Sequence, residues 1–197
     1  MASAEDELGR IDAVAGDGDH GRGMVKGTAA ARISALDVCE RGGGTGSVLA
    51  AAGSQWAAKA GGTSGVLWGA ALTAIGNRLG NTGRPESAVV AQALRAGYDA
   101  LTALGGASLG DKTMLDALHP FVCAVEKSVG DGVDWRSAWV EAVPVARRAA
   151  DATAELRPKI GRARPLAERS VGTPDAGATS LAMCVATVAE LFDHQEG

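Results

Sequence analysis

Met114-Leu115-Asp116-Ala117-Leu118-His119-Pro120-Phe121-Val122-Cys123-Ala124-Val125-Glu126-Lys127-Ser128-Val129 decides the architecture. Leu115, Leu118, Val122, Val125 and Val129 recur at intervals of three and four, the period of one helix face. The period returns at Leu181, Cys184, Val185, Val188 and Leu191, and again at Val90, Leu94, Leu101 and Leu104 in the segment 86–104. Similar segments span 23–40, 46–59, 63–79 and 134–156, and a short one covers 4–11. No segment sustains strand alternation, and β-branched and aromatic residues are too scattered to build a sheet. The reading is all-α: seven helices plus a short or missing first one. Pro120 and Pro144 fall inside two helical patterns, where each either kinks its helix or ends it.

The whole chain bounds the function. Its 197 residues make one domain, 1–197, able to bury about 70% of its unfolded surface. A net charge of −4 without a basic run excludes a nucleic-acid surface. No apolar run reaches transmembrane length, and the acidic start Met1-Ala2-Ser3-Ala4-Glu5-Asp6-Glu7 lacks a signal peptide's basic and apolar regions, so the expected location is cytoplasmic. Cys39, Cys123 and Cys184 each sit in an apolar helical pattern and read as small core residues of a reducing compartment.

Glycine accounts for 28 of the 197 residues, about twice the usual share. It clusters at 16–27, 42–46, 61–69, 105–110 and 172–177, which reads as helix junctions where backbone turns or approaches a ligand. In Gly16-Asp17-Gly18-Asp19-His20-Gly21-Arg22-Gly23, with Asp12 one helical turn upstream, carboxylates are unusually dense. A like-charged pair at roughly 4 Å costs about 4 kcal/mol at an effective dielectric near 20. A hard divalent cation offsets such repulsion, and oxygen-only ligands point to Mg²⁺ or Ca²⁺ rather than Zn²⁺. The glycines leave backbone N–H groups open to an anion, so the combination suggests Mg²⁺-phosphate. His20 either ligates metal, hydrogen-bonds a phosphate or orients an aspartate.

The other clusters each have two readings. Gly42-Gly43-Gly44-Thr45-Gly46-Ser47 is a phosphate loop without its lysine, or a helix–helix turn. Gly61-Gly62-Thr63-Ser64-Gly65 opens a helix, where Thr63 and Ser64 either cap it or meet phosphate. In Gly110-Asp111-Lys112-Thr113-Met114, Asp111 is a plausible N-cap and Lys112 a phosphate partner or a solvated charge. Asp175-Ala176-Gly177-Ala178-Thr179-Ser180 repeats the same logic. Residues 157–176 are the longest non-periodic stretch; Arg157, Lys159, Arg162, Arg164 and Arg169 make it an exposed basic loop or one that reaches over a polyphosphate. His119 and His194 have no evident chemical neighbours.

Ile11-Asp12-Ala13-Val14-Ala15-Gly16-Asp17-Gly18-Asp19-His20-Gly21 resembles the metal-binding motif of the L subunit of dihydroxyacetone kinases, the DhaL-type or DAK2 nucleotide-binding domain. The blocks at 61–65, 110–114 and 168–180 resemble the family's other motifs, in order. The resemblance implies a closed antiparallel barrel of about eight helices with a nucleotide, ATP or ADP, at one end. It implies that Asp12, Asp17 and Asp19 hold two Mg²⁺ ions. His20, Gly21, Arg22, Gly23, Thr63 and Ser64 would contact phosphate, Gly105 and Met114 would line the adenine pocket, and Arg162, Asp175, Ala176 and Gly177 would complete the nucleotide site. The ketose would be held by a separate K subunit or a fused N-terminal domain, covalently through a histidine of that partner. The phosphoryl donor would be ATP or a phosphotransferase-system protein.

Two departures from the family pattern stand out. The chain starts too late for the whole first helix, as an excised or fused domain would. His20 stands where fatty-acid kinase domains typically carry threonine, which resembles bacterial ketose kinases, including those for tetruloses such as erythrulose. The expected function is thus the Mg-nucleotide part of a dihydroxyacetone-type ketose kinase. Its alternatives are a nucleotide-binding carrier or regulatory module without turnover of its own, and a fatty-acid kinase-like domain.

Overall fold

The computed structural model describes residues 1–161 and 163–193, so Arg162 and His194 lie outside the described residues. It is all-α, with no strand among the described residues. Nine helices are described: α1 Glu5–Asp12, α2 His20–Glu40, α3 Thr45–Ala60, α4 Gly62–Leu79, α5 Ser87–Gly105, α6 Leu115–Gly130, α7 Trp135–Ala152, α8 Ala167–Ser170 and α9 Ala176–Asp193. The chain divides into two compact units, one of residues 1–21 with 107–197 and one of residues 22–106.

In the first unit α7 packs on α6 and α9. The periodic residues turn inward: Leu115, Phe121, Val122 and Val125 of α6 are buried with Ala138, Ala142 and Ala146 of α7 and Ala178, Leu181 and Val185 of α9. Trp139 meets Phe121 edge-to-face at 5.0 Å and donates its indole N–H to the Val185 carbonyl at 2.8 Å. Trp135 meets Phe192 in the same manner at 5.2 Å. Both α6 and α7 run on through Pro120 and Pro144, so neither proline ends its helix. α7 stops at Ala152, and a 3-10 turn over Thr153–Glu155 completes the segment expected to be helical to 156. The expected loop that follows contains a 3-10 turn at Arg164–Leu166 and the short α8.

The second unit is built on an α3–α4 hairpin, with α5 packed against α4. Its glycines correct the expectation that glycine marks junctions. A Cβ on Gly53 would lie 2.6 Å from the Gly69 carbonyl, and one on Gly69 2.6 Å from the Gly53 carbonyl. Gly46 and Gly76 face each other the same way at 2.7 Å. Both pairs of residue numbers sum to 122, the mark of an antiparallel register, and the backbones touch where each pair meets. Trp56 and Trp68, both buried, stack at 4.9 Å between the same two helices. Gly27 of α2 stands against Trp56, where a Cβ would lie 2.3 Å from Nε1.

α2 begins at His20, three residues before the expected start. Gly21, Gly23 and Gly27 argue against helix by propensity, and tertiary contact overrides them. Cys39 is exposed, against the expectation of a core thiol, whereas burial pushes the Cys184 thiol up to about 12. Among the described residues no helix is long and apolar enough to cross a membrane.

Candidate functional site

The acidic turn follows directly from how α1 ends. Asp12 is the last residue of α1, and its carbonyl accepts the Gly16 N–H at 2.6 Å, folding the chain back. A Cβ on Gly16 would lie 2.5 Å from Asp12 Oδ1, so the absent side chain makes room for that carboxylate. Gly18 takes a left-handed φ of +75°, which turns the chain between Asp17 and Asp19. Asp12, Asp17 and Asp19 then each offer one oxygen, all within 4.8 Å of one another. Asp12 is half-buried, and Asp17 and Asp19 are exposed. An octahedral Mg²⁺ with ligands near 2.1 Å spans about 3 Å between adjacent oxygens and about 4 Å between opposite ones. The three carboxylates therefore suit a hard divalent cation in number and chemistry, and the oxygens need only draw slightly closer to close on Mg²⁺.

The first turn of α2 is fixed from two sides. A Cβ on Gly21 would lie 2.0 Å from the Glu5 carbonyl and 3.1 Å from the Gly9 nitrogen, so α1 lies directly on this residue. The His20 N–H points at Asp12 Oδ2 at 3.4 Å, a long contact. Its ring turns toward α9, where Nε2 lies 2.9 Å from Ser180 Oγ. The Ser180 hydroxyl also lies 3.0 Å from the Gly177 carbonyl, to which it donates. Burial lowers the imidazole pKa, against the opposing pull of Asp12, Asp19 and a hydrogen bond to the Ala176 backbone. The ring contacts describe an anchor between the start of α2 and α9, a role outside the three readings of His20.

The 110–116 corner departs from expectation. Asp111 is not the N-cap of α6, which starts at Leu115. Its carboxylate accepts the Ser108 N–H at 2.8 Å and pairs with Lys159 at 3.4 Å. Asp116, inside α6, does the capping: its two oxygens accept the Gly110 N–H at 2.5 Å and the Thr113 N–H at 2.8 Å. Thr113 Oγ1 in turn accepts the Leu115 N–H at 3.2 Å, reciprocally as in a capping box. Lys112 is neither a solvated charge nor an exposed phosphate partner. It is 4% exposed and donates to the carbonyls of Leu156 at 3.1 Å and Ser170 at 2.7 Å.

Asp175 precedes α9 and accepts the Ala178 N–H at 2.8 Å, while its own N–H donates to Thr153 Oγ1 at 2.7 Å. Desolvation raises its carboxyl to about 6, helped by Asp116 and opposed by its backbone hydrogen bonds and by Lys112. Gly177 lies against Met114: a Cβ there would be 3.0 Å from Asp175 Oδ2 and 3.5 Å from Met114 Cβ. Met114, Asp175 and Gly177 are thus brought together with Ala176 between them. In the basic loop, Arg157 pairs with Glu168, and Lys159 with Asp111, so both cations have carboxylate partners.

In the second unit α4 opens at Gly62, and no side chain caps it, so Thr63 and Ser64 are not caps. Gly61 and Gly62 both have left-handed φ and open space where a Cβ would be. Gly23 lies near the Ala60 carbonyl, at 3.2 Å from a built Cβ, and Arg22 is exposed. Gly105 is the last residue of α5, beside Leu67. The 42–47 stretch is a turn that runs into the start of α3, where the Gly46 N–H donates to the Gly80 carbonyl at 2.8 Å and the Ser47 N–H to Asn81 Oδ1 at 2.8 Å. Sequence reasoning missed Asp116, Ser180 and Thr153 as organisers; the Thr113-x-x-Asp116 spacing is the one local signal that could have found one of them.

Comparison with known proteins adds a family. The sequence model described as DAK2 domain matches residues 14–190. A D-erythrulose kinase of Mycolicibacterium smegmatis is 68% identical over 190 residues, 96% of this chain and 33% of the relative. The PEP-dependent dihydroxyacetone kinase, ADP-binding subunit DhaL of Escherichia coli is 31% identical over 180 residues, 91% of this chain and 85% of that subunit. The crystal structure of the dihydroxyacetone kinase from C. freundii in complex with AMP-PNP and Mg²⁺ matches with a TM-score of 0.69 at 28% identity, covering 96% of this chain and 31% of that one. The chain spans about a third of the length of the first curated relatives it matches.

Proposed function

The chain belongs to the DAK2 domain family, and on that premise we propose that it is the Mg-nucleotide-binding, phosphoryl-transferring part of a cytoplasmic kinase for dihydroxyacetone or a tetrulose such as erythrulose. The observation that carries the proposal is the acidic turn, three carboxylate oxygens within 4.8 Å at the end of α1. The 68% identity to a D-erythrulose kinase supports a ketose acceptor, and the AMP-PNP and Mg²⁺ of the C. freundii structure support the nucleotide and metal. The family match runs through both compact units, which supports reading them as one domain. Because the erythrulose kinase is about three times as long as the chain, the ketose is assigned to a partner. That partner is a fused N-terminal domain or a separate K subunit.

Asp12, Asp17 and Asp19 are the proposed ligands of two Mg²⁺ ions, which when bound would neutralise charge on the phosphates. His20 holds the first turn of α2 against α9 through Ser180, so Asp19 and Gly21 keep their places. Met114 is proposed to line the adenine pocket with Gly105, and Asp175, Ala176 and Gly177, packed beside Met114, to be further nucleotide contacts. Gly21 in the first unit and Arg22, Gly23, Thr63 and Ser64 in the second are proposed as further nucleotide contacts, as is Arg162 from its sequence position. ATP is the proposed donor; a phosphotransferase-system protein is the alternative.

Calorimetric titration of ADP with and without Mg²⁺ tests this. Binding is expected to need Mg²⁺ and to weaken at least tenfold in Asp17→Asn; binding that ignores both EDTA and the substitution would contradict it. A second reading is a nucleotide carrier without turnover of its own, favoured by the E. coli relative's description as an ADP-binding subunit. Incubating the chain alone with ATP and erythrulose separates the two, since sugar phosphate formed without a partner excludes the carrier.

A further inference from the structure

Lys112 is out of place for an ordinary lysine. It is 4% exposed, and its φ of +63° makes it the one non-glycine residue in the left-handed region among the described residues. That conformation favours glycine or asparagine, so a lysine there is held by its side chain. The ammonium donates to the Leu156 carbonyl at 3.1 Å and the Ser170 carbonyl at 2.7 Å, bridging two points fourteen residues apart. Around this bridge the three segments of chain at 111–112, 154–159 and 170–172 are tied twice more. Lys159 N–H donates to the Asp111 carbonyl at 3.2 Å, and Gly172 N–H to the Ala154 carbonyl at 2.9 Å. The neighbours of Lys112 on one side reach Met114, and those of Ser170 on the other reach Asp175, whose N–H is held by Thr153.

We infer that Lys112 is a positioning residue, whose buried ammonium fastens both ends of the 157–171 segment and so fixes Met114 and Asp175–Gly177 for a nucleoside diphosphate. This rests on the nucleotide reading above. Lys112 touches neither phosphate nor metal; it acts through the two carbonyls it binds. Burial lowers its pKa while Asp175 pulls it up, so the nearby carboxylate favours the charged form that makes both bonds.

The test uses Lys112→Met, which removes the ammonium, and Lys112→Gly, which removes it and also relaxes the backbone. Trypsin reports on the segment at Lys159, Arg162 and Arg169, since Arg157 and Arg164 precede prolines. Both variants are expected to be cut there at least tenfold faster than the parent. Both are also expected to bind ADP with Mg²⁺ at least tenfold more weakly, while Mg²⁺ alone binds within twofold of the parent. Cleavage within twofold of the parent in both variants overturns the fastening. Faster cleavage with ADP affinity within twofold overturns the positioning. If the parent itself binds no ADP, the nucleotide reading fails, and the cleavage rates still decide whether Lys112 fastens the segment.

Discussion

Replacing Gly21 with alanine puts one methyl group where the carbonyl oxygen of Glu5 stands 2.0 Å away. An ordinary carbon–oxygen contact needs about 3.4 Å, so α1 must retreat by more than 1 Å or the start of α2 must distort. Overpacking of this kind costs about 1–3 kcal/mol. By intrinsic propensity alone, alanine in a helix would gain about 1 kcal/mol over glycine, so the sign of the change is itself diagnostic. For a chain of this size each kcal/mol shifts Tm by about 2–4 °C, which predicts a fall of about 2–12 °C without any ligand. The strain has a second outlet, because α1 also carries Asp12. If α1 tilts away to relieve the clash, closing the three carboxylates on Mg²⁺ restores it. The same 1–3 kcal/mol then appears as about 5- to 150-fold weaker binding. Thermal melts and Mg²⁺ titration of Gly21→Ala measure both. Gly130→Ala is the control: no atom lies within 4 Å of its built Cβ, and it should be neutral or stabilised by up to about 1 kcal/mol. A Gly21→Ala protein that melts at or above the parent temperature and binds Mg²⁺ as tightly would refute the reasoning, leaving Gly21 explained by ligand contact alone.

Asp175 predicts a pH dependence. Its folded carboxyl titrates at about 6 against an ordinary 3.8, so the folded state holds the proton more tightly. The resulting contribution is full below about pH 4 and lost as pH rises through 6, amounting to about 3 kcal/mol. Asp175→Asn should therefore gain stability relative to the parent between pH 4 and pH 7; a difference in Tm that is flat across that range counts against the shift. Asp116→Ala strips the acceptor from the N–H groups of Gly110 and Thr113 and should cost about 1–3 kcal/mol in urea unfolding. Gly69→Ala drives a methyl to 2.6 Å from the Gly53 carbonyl. It should lower Tm and disturb the near-ultraviolet circular dichroism of the Trp56–Trp68 stack, with Mg²⁺ affinity unchanged.

Helices were legible because their signals are local. The periods at 86–104 and 114–129 became α5 and α6 within one residue at each end, since apolar spacing and flanking glycines act over a few positions. The acidic turn was legible for the same reason, as Asp12, Asp17 and Asp19 are close in sequence before they are close in space. What failed depended on topology. Nothing near Lys112 says that Leu156 and Ser170 will come to it, so its burial is visible only once the chain is folded. The α2 face was misread at Cys39 because Ala29, Ala30 and Ala31 define no stripe. Gly46 and Gly69 read as junction glycines, yet a backbone needing close contact and one needing to turn select the same residue.

The α3–α4 hairpin is clasped at its open end, where Gly46 and Ser47 bond to Gly80 and Asn81. Its two legs touch backbone to backbone twice along their length. Such a tuning fork with a soldered mouth turns at Gly61 and Gly62, whose built Cβ atoms meet nothing. Thr63 and Ser64 ride on that bend, so their place is set by the clasp at the mouth and the two glycine contacts along the legs.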